Sequence, residues 1–163
     1  MKPRFHVRID NRLLHGQVVQ FWIPHLGVEN LVVADDEVAA SDSMQTIYRM
    51  ALPSVVDLKV VRVDALKAEL ETLPSLSNLV LIRTIEEIAS VVRAGAKLQG
   101  ITIGNVHAAP FRNRITDAVY LSDAETELLC WMSDRGIRIE IQTFPGEVLR
   151  FYREAGGGKW SRS

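Results

Sequence analysis

The chain has a single cysteine, Cys130, in 163 residues, which excludes an intrachain disulfide and any cysteine-cluster metal site. That thiol stands in the apolar run Leu128-Leu129-Cys130-Trp131-Met132, so a buried structural side chain is expected rather than a nucleophile. Long apolar runs are lacking as well. Nothing approaches the roughly 20 residues needed to span a bilayer, and Met1-Lys2-Pro3-Arg4-Phe5-His6 has no secretory apolar core, so the cytoplasm is the expected location. An excess of one charge sign is also missing. The formal net charge is −1, and Trp22, Trp131 and Trp160 are scattered, so neither charge nor aromatic pattern suggests a nucleic-acid surface. The nucleotide cradles G-x-x-x-x-G-K-[ST] and G-x-G-x-x-G are absent, as is the G-x-S-x-G elbow of many hydrolases.

What is present is a regular alternation of strand and helix patterns. With 47% hydrophobic and 24% charged residues, the chain has the composition of an ordinary globular protein. At this size one domain can bury about two-thirds of the unfolded surface. Phe5, Val7 and Ile9 alternate as a strand does, and a helical pattern follows through Val18, Val19, Phe21 and Trp22, which Pro24 and Gly27 are expected to break. Asn30 to Ala34 is a continuous apolar run suited to a strand buried on both faces. Asp42 and Gln45 resemble a capping box for a helix that Pro53 ends. Leu58 to Val63 is the third strand, Asp64 can cap the next helix, and Leu79 to Ile82 is the fourth strand.

Thr84 with Glu87, and Ser122 with Glu125, have capping-box spacing ahead of helices that end at Gly95 and Gly136. Ile101 to Ile103, Val119 to Leu121 and Ile137 to Ile141 read as short strands, the last nearer an edge, and Gly104 to Asp117 as the longest irregular segment. Glu147 to Arg153 reads as a last short helix. We therefore expect an α/β fold: an open, mostly parallel sheet with helices on both faces, in a single domain covering residues 1-155, with 156-163 as a flexible tail.

The chemistry is expected in the turn after the first strand. In an open α/β sheet ligands bind at the carboxyl ends of strands, and here that position holds Asp10, Arg12 and His15 just before a helix. The first helical turn offers free N–H groups and a partial positive charge that favour an anion. An imidazole is partly neutral at cytosolic pH, and a neutral ring nitrogen can attack phosphorus. Arg12 can fork onto phosphate oxygens, Asp10 can orient the ring or Arg12, and Gly16 lets a bulky group approach the backbone. The plainer reading of His15 is a polar loop residue or helix cap.

The segment Arg8-Ile9-Asp10-Asn11-Arg12-Leu13-Leu14-His15-Gly16-Gln17-Val18 closely resembles the phosphorylation-site segment of one protein family. These are the enzyme IIB components of the mannose/fructose/sorbose family of the bacterial sugar phosphotransferase system. The usual form there has a second aspartate where this chain has Asn11, and often isoleucine in place of Leu14. Further likenesses follow at Val32 to Ala39, Met50-Ala51-Leu52-Pro53 and Ile103-Gly104-Asn105-Val106-His107, and fade after about Thr143.

The resemblance implies the same open α/β architecture and a phosphoryl carrier. His15 would accept a phosphoryl group on Nδ1 from the phosphohistidine of a IIA domain and pass it to a sugar held by membrane IIC and IID components. Asp10, Arg12, Leu14, Gly16 and Gln17 would bind the phosphate or orient the loop, and Asp35, Asp36, Asn105 and His107 would lie around it. A phosphohistidine passes its group on without a metal, so no cofactor is expected. The resemblance places the chain in the cytoplasm or at the inner face of the membrane through IIC and IID, and leaves self-association into a homo-oligomer open.

Two other functions fit parts of the pattern. A chain can keep the loop yet serve as a regulatory module whose phosphorylation changes its affinity for a partner. Alternatively, Asp35 and Asp36 at a strand end can hold Mg²⁺ in a metal-dependent enzyme, although no convincing lysine accompanies them; a solvated acidic loop is the simpler reading. Asn105 can donate to a phosphate oxygen, or Gly104 and Asn105 can serve only the turn. His107, Arg112 and Arg114 read as loop residues open to a partner or phosphate, and His6 and His25 as structural or merely exposed.

Overall fold

A computed structural model describes residues 4–74 and 77–162. Its centre is an eight-stranded sheet in which the first strand, β1 (Phe5–Asp10), has neighbours on both sides. The other strands are β2 (Asn30–Ala34), β3 (Asp57–Val61), β4 (Asn78–Ile82), β5 (Gly100–Asn105), β8 (Arg138–Ile141), β9 (Leu149–Glu154) and β10 (Gly157–Arg162). They lie in the order β10-β9-β8-β5-β1-β4-β2-β3. Pairing from β3 through to β8 is parallel, and β8, β9 and β10 continue antiparallel. Two short strands, β6 (Arg112–Arg114) and β7 (Tyr120–Ser122), form a separate antiparallel ladder. The run from Val119 to Leu121, expected as a strand of its own, thus belongs to a hairpin outside the main sheet.

The helices cover both faces. A helical stretch from residues 16 to 26, including α1 (Ile23–Leu26), packs with α3 (Asp42–Ala51) on one face, where Val18, Trp22 and Leu52 meet Leu31, Val33, Leu79 and Leu81. The second face carries α4 (Leu66–Thr72), α5 (Ile85–Arg93) and α6 (Asp123–Ser133), with Leu66, Ile88 and Leu129 over Val32, Val80 and Ile103. β1 leads to a helix on the first face and β5 to α6 on the second. The carboxyl ends of these adjacent strands therefore flank a crevice where the winding reverses.

Several local expectations are corrected. Pro24 does not stop the first helix. The turn Val18–Trp22 is π-helical, the Ile23 amide reaching back to the Val18 carbonyl, and this widening accommodates a residue whose ring crowds the preceding turn and which lacks an N–H. Gly27, at φ +60°, ends the helix instead. Asp35 caps an additional short helix, α2 (Asp36–Ala39), and α3 is capped by Ser41, whose hydroxyl accepts from the Met44 amide at 3.2 Å. Gln45 is free of the capping role because its amide donates to the Val38 and Ala39 carbonyls. Asp64 sits in a 3₁₀ turn, Val63–Ala65, ahead of α4. Both capping boxes, at Thr84 with Glu87 and Ser122 with Glu125, are formed. Cys130 is half-buried against the core.

The largest correction is at the end of the chain. Glu147 to Arg153 is not a helix, and the glycine-rich end is not a loose tail: β9 and β10 form a hairpin that extends the sheet. Phe151 points into the core and meets Trp160 across the hairpin, ring centroids 5.0 Å apart. Gly158 fits because its neighbour is the Phe151 ring; a Cβ there would fall 1.9 Å from Phe151 Cζ. β8, expected near an edge, is consequently an interior strand.

Candidate active site

The site grows from the carboxyl end of β1. Two of its polar residues, Arg8 and Asp10, are 2% and 0% exposed because the first helix lies across that side of the strand. The chain leaves the strand by a tight turn in which the Leu13 amide donates to the Asp10 carbonyl at 3.0 Å and the Arg12 amide to Asp10 Oδ1 at 3.0 Å. Leu13 takes φ +54°, uncommon for a side chain of this size, and its burial against Val18 and Leu81 holds it there. His15 follows, and its carbonyl accepts from the Val18 and Val19 amides as the helix begins.

His15 Nε2 lies 3.0 Å from Asp10 Oδ2. Asn105 Nδ2 donates to the same oxygen at 2.8 Å and to Gln17 Oε1 at 2.9 Å. A register shift between β1 and β5 makes this possible: Ile9 pairs with Ile103, but Asp10 pairs with Asn105, so Gly104 is the extra residue of a bulge. Burial by itself raises the Asp10 carboxyl, but hydrogen bonds from His15, Asn105 and the Arg12 amide outweigh it and hold the group below the ordinary carboxylate value. Asp10 is therefore an anion that only accepts, and Nε2 carries the proton. In the neutral ring the lone pair then falls on Nδ1, which is buried and has no hydrogen-bond partner among the described residues.

Beneath this pair lies Arg8, to which the sequence pattern gave no separate role. Its guanidinium donates to the Gln142 and Thr143 carbonyls at 2.8 and 3.1 Å and to Gln17 Oε1 at 3.1 Å, and it stacks 4.6 Å from the Trp22 ring centre. Its Nε comes within 3.5 Å of Asp10 Oδ2. Desolvation brings Arg8 down to about 10 while the Asp10 charge opposes the fall, so it remains a cation at neutral pH. The bulge glycine makes the room: a Cβ on Gly104 would lie 2.2 Å from Arg8 Cζ. Trp22 Nε1 and the Thr143 hydroxyl complete the clamp, donating to the Thr143 and Gly104 carbonyls at 2.9 and 2.8 Å.

The remaining candidates fall into two groups. Asn11 ties the turn to its surroundings: its amide donates to the Arg83 carbonyl at 3.3 Å and its Oδ1 accepts from the His107 amide. Arg83, also unflagged by the sequence, donates to the Asn11 carbonyl at 3.2 Å and to Asp35 Oδ2 at 2.8 Å. Burial raises Asp35, but the Arg83 contact and the Val38 amide outweigh it and leave the carboxyl below its usual value. Asp35 thus supports the turn through one intermediary.

Asp36 does not. It accepts from the Val63 amide at 2.9 Å and approaches Arg62, so the two aspartates face different partners and do not converge on a common ion. Leu14 is buried, Gly16 is exposed with nothing within 4 Å of a built Cβ, and the His107 side chain is exposed. Arg112 is occupied by Glu125, at 2.8 Å, and Arg114 by Asp117. The exposed Arg12 guanidinium has no hydrogen-bond or ion-pair partner among the described residues. Asn105 Nδ2 and Gln17 Oε1 are both engaged within the network, Nδ2 as donor to Asp10 and Gln17, and Oε1 as acceptor from Asn105 and Arg8.

An open α/β sheet whose switch point holds a histidine anchored at Nε2, beside an arginine without a partner among the described residues, is an arrangement suited to group transfer. The family model for the phosphotransferase-system sorbose-subfamily IIB component matches residues 5–150, and the chain belongs to that family. It is similar to N-acetylgalactosamine-specific phosphotransferase enzyme IIB component 1 of Escherichia coli K12, 31% identical over 147 residues, covering 86% of this chain and 90% of that protein. The mannose-specific EIIAB component of the same organism is 27% identical over 138 residues, which cover 83% of this chain and 42% of that longer protein. Among solved structures, manxB from Thermoanaerobacter tengcongensis superposes with a TM-score of 0.80 at 30% identity, covering 90% of this chain and 93% of that one. The chain is a phosphotransferase component, and no helix among the described residues is long and apolar enough to cross a membrane.

Proposed function

We propose that His15 Nδ1 is the phosphoryl acceptor, loaded from the phosphohistidine of a IIA domain and discharged to a sugar presented by membrane IIC and IID components. The observation that carries this is the division of labour on the ring: Nε2–H is held by the Asp10 carboxylate, and the Nδ1 lone pair is left without a partner. In loading, the P–N bond to the donor breaks, its electron pair returning to the donor ring, as a P–N bond forms to Nδ1. The His15 ring then carries positive charge, which the Asp10 anion offsets. Arg12 and the first-turn amides of Gly16 and Gln17 are the groups available to the equatorial oxygens. In discharge, a sugar hydroxyl oxygen forms a bond to phosphorus as the P–Nδ1 bond breaks, its electron pair returning to Nδ1 and the hydroxyl proton passing to a base on the sugar-bearing component or to solvent.

Intact-mass analysis tests the proposal. Wild type and His15→Ala are incubated with phosphoenolpyruvate, the general phosphotransferase proteins and a matched IIA, then kept at neutral to alkaline pH. One acid-labile phosphate on wild type and none on the variant is expected. A bare wild type beside a fully loaded IIA, or a phosphate on His15→Ala, would overturn it.

A further inference from the structure

Phe111 is 95% exposed, more than any other large apolar side chain described. Its φ is +65°, a left-handed conformation that a Cβ disfavours. A single exposed aromatic is unremarkable by itself; one held out in a disfavoured backbone shape contributes little to folding and points to another use.

The segment that carries it is fastened on both sides. The His107 amide donates to Asn11 in the turn that presents His15, and Arg112 donates to the His107 carbonyl at 2.8 Å while paired with Glu125. The Arg112 amide closes the segment onto the Ala109 carbonyl at 3.2 Å. Phe111 therefore stands on a braced arm tied directly to the His15 turn. A second exposed aromatic group, the edge-to-face pair Phe21 and Phe144, is tied to the same network because Thr143 accepts from Arg8 and Trp22.

Resting on the reading of His15 as acceptor, we propose that Phe111 is the docking anchor for the phosphorylated IIA donor. Transfer requires the donor's phosphohistidine to meet His15, so the contact must extend over the segments that flank the turn. Aromatic side chains carry a large share of binding energy when a partner covers them. Charge matches the donor: the turn exposes the Arg12 cation, unpaired among the described residues, and the donor arrives with the phosphoryl anion, whereas at discharge that anion already sits on His15.

The test compares wild type with Phe111→Gly, which removes the ring and suits the observed φ. Loading rates are measured against phospho-IIA concentration and, separately, with phosphoramidate, a small donor that needs no protein docking. The expected result is a KM for phospho-IIA raised about tenfold, a maximal rate within twofold of wild type, an unchanged phosphoramidate rate and a thermal midpoint at or above wild type. An unchanged KM would overturn the docking role while leaving the phosphoryl-carrier reading intact. So would equal losses with both donors, which would mean a disturbed turn, or normal loading with impaired discharge to sugar, which would move the contact to the membrane components. Absence of loading from phospho-IIA in wild type would remove the carrier reading itself.

Discussion

A carboxylate accepts hydrogen bonds and cannot donate them, so Asp10 determines which nitrogen of His15 holds the proton. An asparagine in its place can donate, letting Nε2 become the acceptor and moving the proton to Nδ1. Asp10→Asn should therefore slow loading from phospho-IIA by about 10²- to 10⁴-fold, by analogy with triads whose orienting carboxylate is replaced. Nitrogen chemical shifts of the His15 ring should exchange their tautomer pattern in the same variant. Unchanged loading with an unchanged ring spectrum would mean the neighbouring dipoles, not the carboxylate, set the tautomer. Below this pair, Gly104→Ala places a methyl group where the Arg8 guanidinium lies, 2.2 Å from Cζ. Arg8 is clamped to two carbonyls and a ring and has little freedom to move aside, so the overpacking should cost about 1–3 kcal/mol, read from urea unfolding.

At the scale of elements, the β9–β10 hairpin gives the sheet its last two strands. Trp160→Ala removes the edge-to-face contact with Phe151 and part of the cover over the core, and should lower stability by about 1–2 kcal/mol. Ending the chain after Ala155 should lower it further, because Phe151 and the β9 edge lose their partner strand; equal stability of that truncated chain would show the hairpin to be dispensable. The hairpin also marks where sequence legibility stops. The turn from Asp10 to Gln17 and the boxes at Thr84 and Ser122 were legible because a cap or turn is decided by residues within a few positions of each other. Leu149 to Arg153 alternates as a strand does, but it is short and charged, and its pairing depends on β8 and on glycines that read equally well as a loose end. Arg8 was illegible for a related reason. Alternation assigns it to the outward side of β1, and only the later placement of Trp22, Gln142 and Thr143 buries it. Asp35 and Asp36 look equivalent in sequence, yet strand-end geometry sends one to Arg83 and the other to Val63.

For the whole molecule, the same buried carboxylates that organise the site set its response to acid. Asp10 and Asp35 both lie below the ordinary carboxylate value in the fold. As pH falls past about 4, the unfolded chain takes up protons at these positions before the folded one does, so folding loses free energy from there down through the folded values. Stability from these groups is thus fully present above the unfolded value and disappears in acid. His6 adds a smaller slope nearer neutrality. Burial first, then the charges of Arg138 and His25, lower it from 6.5, so the unfolded chain binds its proton more readily and stability declines as pH drops through that region, levelling below the folded value. Urea midpoints followed from pH 8 to 2.5 should show a shallow decline near pH 6.5 and a steep one below about pH 4. His6→Gln should remove the first. Asp35→Asn should lower the plateau, because Arg83 loses its partner, and flatten the acid limb, because one depressed carboxyl no longer titrates. An acid limb in Asp35→Asn parallel to wild type would show that the Asp35–Arg83 pair does not couple proton binding to folding, and would leave Asp10 as the principal acid sensor of the sheet's carboxyl end.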